Sequence, residues 1–147
     1  MRFATLRIDD TLTAARIGGD RAVLADASHA VDAYLRREHL SETAEVDART
    51  AHCARVSPSP AHILCIGLNY RSHLQRLGRP APAYPTFFAK FPSTLTGPRD
   101  DIALPRISDH IDGEAELAVI VGRRLSRAGV HEANTEAPEC PYPEGSR

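Results

Sequence analysis

Residues 110–124 read HIDGEAELAVIVGRR, and the reading given to this stretch decides the fold. Leu117, Val119, Ile120 and Val121 make an apolar run of strand length just after Gly113. Side chains alternate faces along a strand, so Glu114 and Glu116 point the same way. Two ionised carboxylates ~5 Å apart, at an effective dielectric of ~20, repel by roughly 3 kcal/mol. In a buried strand a divalent cation offsets that cost, and ligation by carboxylates alone favours a hard ion such as Mg²⁺, Ca²⁺ or Mn²⁺. On a hydrated edge the two charges need no ion. Spacing alone leaves both readings open.

Composition narrows the class. The chain has 147 residues, with 18 basic against 19 acidic side chains, and Lys90 is its one lysine. Acids and bases read as mixed, with no basic patch to point to nucleic acid. No run approaches the roughly 18 apolar residues of a membrane span, and the N-terminus has no signal-type apolar core. Cys53, Cys65 and Cys140 are odd in number and lack metal spacing, so they read as reduced thiols. A soluble cytoplasmic protein is expected.

Residues 1–56 read as a small N-terminal β domain. In MRFATLRI the residues Ala4, Leu6 and Ile8 share one face. TAARI and AVLADA flank Gly18-Gly19-Asp20, a two-strand turn signal in which glycine supplies positive φ. Ser28 is placed to cap a helix over Ala30, Val31, Tyr34 and Leu35. SETAEVDARTAHCARV is polar and weakly patterned, and His29, His39 and His52 lack partners at ligand spacing. SPSP, within a linker at 57–61, breaks any element.

The character then changes. HILCIGLNY is a short apolar strand, followed by a brief helix in NYRSHLQRLG opened by Asn69 and stopped by Gly78. His73 rides on that helix just past the strand end, either as a surface histidine or as a reactive group. TFFAKF reads as a strand with Lys90 inside it, where the ammonium either binds an anion or snorkels to water. Strands over 62–67, 86–91 and 115–121 are apolar enough to expect burial on both faces.

ILCIGLNYRSH, YPTFFAKFPSTLTGPRDDIALP and DGEAELAVIVGRR, in that order and at these spacings, resemble the fumarylacetoacetate hydrolase family over about residues 61–125. The resemblance implies a mostly β fold with short helices (α+β), in which residues 62–128 form the first part of a mixed β-roll, incomplete at the C-terminus. It also implies a homodimer. The expected substrates are small dicarbonyl or 2-oxo acids, among them acylpyruvates, fumarylacetoacetate and 2-oxo-enoic diacids of aromatic catabolism. Members hydrolyse a carbon–carbon bond, decarboxylate or isomerise. Carried over by position, Glu114 and Glu116 match two carboxylates that hold Mg²⁺, and His73 matches the histidine that activates water. Lys90 and Arg71 fall in motifs near the substrate pocket.

Two departures bear on activity. The histidine of the family is followed three residues later by a glutamate that supports it, and here that position is Arg76. A second cation beside the imidazole removes that support for proton transfer. Family members also continue past AELAVIVGRR with a third metal carboxylate and most of the roll. Residues 129–147, HEANTEAPECPYPEGSR with its preceding turn, read as an irregular or disordered tail following truncation, with His131 and Glu132 solvated. The alternatives to a weakly active metal-dependent enzyme are a catalytically dead fragment and a non-enzymatic interaction module.

Overall fold

The computed structural model describes residues 1–136. It is mostly β, with three short helices, as expected. Strands β1 (Arg2–Ile8), β2 (Thr11–Gly18), β3 (Arg21–Ala25), β4 (Glu42–Asp47) and β5 (His52–Cys53) form one antiparallel sheet in the order β4-β3-β2-β1-β5. Both tight hairpins have a local cause. Asp9 and Asp10 take φ of 44° and 62°, the left-handed pair that a two-residue turn between twisted strands requires. Aspartate tolerates this region better than most side chains. Gly19, at φ 60°, does the same work between β2 and β3.

Each face of this sheet has its own core. Leu6, Ala15 and Ala22 pack with Ala51 on one face, joined by Ala4, Ile8, Ile17, Leu24 and Val46. Ala4, Leu6 and Ile8 therefore share the face that alternation assigned to them. The other face carries Ala14 and Ala25, covered by Ala27 and by Ala33 of helix α1 (Ala30–Leu35). Small side chains let the helix approach closely across β1 and β2.

Thr5 is the one buried polar side chain among the described residues, 1% exposed. Its hydroxyl accepts from the Ala30 amide at 3.0 Å and donates to the Val56 carbonyl at 3.0 Å, while its own carbonyl accepts from the Ala54 amide at 2.8 Å. One residue thus joins the start of α1, the central sheet and the segment that leads to residues 57–61. The cap of α1 is His29 and not Ser28: its Nδ1 accepts from the Asp32 amide at 3.2 Å.

The polar stretch after Ser41 holds β4 and β5, which hydropathy patterning does not mark. β4 is an edge strand with one wet face, so Glu42 and Glu45 serve it by pairing with Arg16 and Arg21 across the sheet surface. Of β4 only Val46 reaches the core, which Ala48, Ala51 and Cys53 join from the residues that follow.

Beyond residue 61, β6 (Ile63–Gly67) pairs antiparallel with β7 (Thr86–Lys90), in the register Ile63↔Lys90 through Gly67↔Thr86. Helix α2 (Arg71–Arg76) lies between them in sequence and buries only Leu74. It opens at Tyr70, with no side-chain cap, and not at Asn69. Gly78 ends it as the glycine signal requires, at φ 62°. The Gly78 amide donates to the Gln75 carbonyl at 3.1 Å and the Arg79 amide to the Leu74 carbonyl at 3.0 Å, the paired bonds of a Schellman stop.

Three expectations are overturned. Residues 115–121 form no strand, because no other strand among the described residues pairs with them, and Leu117, Val119 and Val121 are exposed. Double-sided burial of β6 and β7 also fails: Leu64, Ile66, Phe87 and Phe88 are all exposed. Periodicity reports that a segment can bury itself; only a partner surface buries it. Finally, Val130–Glu136 is helical (α3), where an irregular tail was expected. The remainder of that expected tail, 137–147, lies outside the described residues, as does Cys140.

Candidate functional site

All the expected site residues but Lys90 come from two segments that a hydrogen bond ties together; Lys90 pairs with Ile63, at the end of the β6–β7 pair away from α2. The first is the β6–α2 connection. Strand β6 ends at Gly67, Leu68 takes φ 57° to turn the chain, and Tyr70 opens the helix carrying Arg71, His73 and Arg76. The second is the segment 110–124 with the two glutamates, outside any helix or strand. The Leu117 amide donates to the Tyr70 hydroxyl at 3.0 Å, so the residue after Glu116 is tied to the residue before Arg71. Tyr70 was not among the expected site residues. Its signal in the sequence was position alone, an aromatic residue with a polar tip at a strand-to-helix turn.

Around this tie the side chains are open to solvent. Arg71, His73 and Arg76 are exposed on α2, Lys90 is exposed at the end of β7, and Glu114 and Glu116 are exposed on the segment. His73 and Arg76 stand three residues apart in the helix, which makes them neighbours on its surface. The strand argument for aiming the glutamates together does not apply directly, since residues 114–116 are outside any strand. Among the described residues no three His, Cys, Asp or Glu side chains gather as a metal cluster. A pair of exposed carboxylates still suits Mg²⁺, which keeps several waters and is held by one or two carboxylates plus its ligand's oxygens.

The shifted titrations lie elsewhere. The Arg49 guanidinium, bonded to Asp47 at 2.7 Å and 3.0 Å, holds the Asp47 carboxyl below its ordinary value, and the Arg49 amide adds to this. Next to it, His52 Nε2 lies 3.8 Å from Asp100, and Arg99 donates to the Arg49 carbonyl at 3.3 Å. These contacts hold the turn after β7 against the first sheet. On the C-terminal side of the segment Arg123 lies 3.9 Å from Glu132 of α3.

Comparison with known proteins settles the family. The model of the fumarylacetoacetate (FAA) hydrolase C-terminal domain matches residues 62–137, just over half of the 147-residue chain. The chain belongs to the fumarylacetoacetate hydrolase family. A mitochondrial oxaloacetate tautomerase of Bos taurus is 43% identical over 65 residues, 44% of this chain and 21% of that protein. Its human counterpart is 38% identical over 78 residues, 53% of this chain and 24% of the relative. The fold agrees as well. A crystal structure assigned as an HpcE protein from Mycobacterium smegmatis superposes with a TM-score of 0.58 at 26% identity, covering 81% of this chain and 46% of that one. The chain thus spans under a quarter of the length of these tautomerases and under half of the HpcE-type protein. Among the described residues no helix of this family member is long and apolar enough to cross a membrane.

Proposed function

We propose that this family member contributes the α2 helix and the Glu114–Glu116 segment to a divalent-metal-dependent site that acts on a small 2-oxo acid, with keto–enol proton transfer favoured over hydrolysis. The carrying observation is the bond from the Leu117 amide to the Tyr70 hydroxyl, because it ties the segment of the two glutamates to the residue that opens the helix of His73. The oxaloacetate tautomerases that match this same region support the substrate class.

Glu114 and Glu116 would hold the ion, with Mg²⁺ favoured and Mn²⁺ or Ca²⁺ possible by the same oxygen chemistry. Bound there, it would supply positive charge that polarises the keto oxygen of a chelating acid. His73 would accept a proton on an imidazole nitrogen from the carbon beside that carbonyl and deliver it to the keto oxygen, so that a C–H bond breaks, an O–H bond forms and no carbon–carbon bond is cleaved. Hydrolysis asks more of the same histidine, since it must generate hydroxide from water. Arg76 is all donors and can neither orient the imidazole as an acceptor nor share its positive charge. Arg71, on α2, would supply a cation for a substrate carboxylate; Lys90 stands at the far end of β7.

Titrating the full chain with Mg²⁺ tests this reading. Two carboxylates without a third ligand bind it weakly, with Kd on the order of 1 mM. Glu114→Gln with Glu116→Gln abolishes that binding, and with it any acceleration of enol-oxaloacetate decay by the wild-type chain. Equal Mg²⁺ affinity in wild type and double variant would overturn the assignment.

A second reading has its own observation. Leu64, Ile66 and Phe87 lie together on one exposed face of the β6–β7 pair. Contiguous apolar surface of this kind marks an interaction site. A defined complex that survives replacement of both glutamates would favour a non-enzymatic interaction module.

A further inference from the structure

We propose that Arg76, in the position where the family resemblance calls for a glutamate, makes the exposed face of α2 a carboxylate-binding site that selects 2-oxo dicarboxylates over 2-oxo monocarboxylates. This rests on the 2-oxo-acid reading and deepens it.

The even mixing of acids and bases expected from composition fails over the middle of the chain. Residues 48–99 contain no Asp or Glu, while residues 100–116 contain six acidic side chains, Asp100, Asp101, Asp109, Asp112, Glu114 and Glu116, against Arg106. The fold does not cancel the two blocks pairwise. In the first sheet Arg16, Arg21, Arg36 and Arg49 each meet a carboxylate. Arg71, Arg76 and Arg79 meet none among the described residues, and Glu114 and Glu116 are likewise without a cationic partner there. Two unneutralised sets of opposite sign are joined at one point, the bond between Tyr70 and Leu117.

A ligand that satisfies both sets has an anionic end and a metal-chelating end. A 2-oxo acid chelates a cation through its keto and carboxylate oxygens, which suits the glutamate side. A second carboxylate on the same molecule then suits the arginines. Guanidinium is the group for that task, because its planar fork donates two parallel hydrogen bonds to one carboxylate. Arg76 is the member best placed to select, being one helical turn from His73 on an exposed surface. Glutamate at that position would repel the same carboxylate. Position 76 therefore sets which acids bind as well as what His73 can do.

The experiment is an NMR titration of the full chain, following the amides of residues 70–79. 2-Oxoglutarate is the dicarboxylate probe and pyruvate the monocarboxylate, each with Mg²⁺ and with EDTA, at low salt. In wild type 2-oxoglutarate binds at least about tenfold more tightly than pyruvate, as expected for one added charge-assisted pair. Arg76→Gln abolishes that preference without altering the far-UV spectrum, and Arg76→Lys restores only part of it, since the ammonium cannot bind in a fork. Preference that persists in Arg76→Gln, or equal binding of both acids by wild type, overturns the proposal. If both acids bind equally and need Mg²⁺, the metal-dependent reading stands and the anion site falls. If the dicarboxylate preference depends on Arg76 but Mg²⁺ and the glutamates have no effect, the anion site stands and the metal falls. Absence of binding under every condition overturns both.

Discussion

Replacing Thr5 by valine isolates the contact that ties the first sheet to the rest of the chain. Valine keeps the shape of threonine and removes the hydroxyl, so the packing of a residue 1% exposed is retained while two hydrogen bonds of 3.0 Å are lost. The two losses are unequal. Val56 is exposed, and its carbonyl can recruit water. The Ala30 amide belongs to a residue 3% exposed at the first turn of α1, where helix N–H groups have no intrahelical acceptor. A net hydrogen bond is worth about 1 kcal/mol, and an orphaned buried donor costs about 1–3 kcal/mol. The sum for Thr5→Val is about 2–4 kcal/mol. For a unit of this size, 1 kcal/mol moves the melting midpoint by about 4–8 °C, so a fall of about 8–32 °C is expected. Urea denaturation of the full chain, followed by far-UV circular dichroism, measures it as a lower midpoint at unchanged slope. Thr5→Ser keeps the hydroxyl and loses one methyl, for a cost of about 1 kcal/mol. A Thr5→Val protein within about 0.5 kcal/mol of wild type refutes the reasoning, because the hydroxyl would then hold nothing that water does not.

Other outcomes follow from the same structure. His29→Ala removes the side-chain acceptor for the Asp32 amide and lowers stability by about 1 kcal/mol, whereas His29→Asp retains or raises it, both read by the same denaturation assay. Asp47 has its folded-state carboxyl held below the ordinary 3.8 by Arg49, so its contribution is present above that value and is lost as pH falls through the lower folded one. Arg49→Ala therefore flattens part of the acid limb of a melting-temperature profile between pH 5 and pH 2, and an unchanged limb would count against the pair. Leu64→Ser combined with Phe87→Ser reduces concentration-dependent self-association in sedimentation velocity, since both side chains lie on the exposed face of the β6–β7 pair.

Local chemistry decided much of this protein, and the sequence discloses it. The hairpin at Gly18-Gly19-Asp20, the inward face of Ala4, Leu6 and Ile8, and the glycine stop of α2 each depend on conformational limits of single residues or on strict alternation. The motifs around His73, Lys90 and Glu114 likewise carry the family, because they are short and ordered in the chain. Tertiary structure decided the rest. β4 reads as polar because an edge strand needs only Val46 to reach the core, its other side chains being spent on water and on Arg16 and Arg21. Residues 115–121 have the composition of a strand and none of its pairing, since a ladder is a property of two segments and no composition supplies the second. Tyr70 meets Leu117 across 47 positions of sequence, a contact that no local pattern contains. Residue types fixed which charges the chain carries; the chain path fixed that the arginines of α2 and the two glutamates flank a single hydrogen bond.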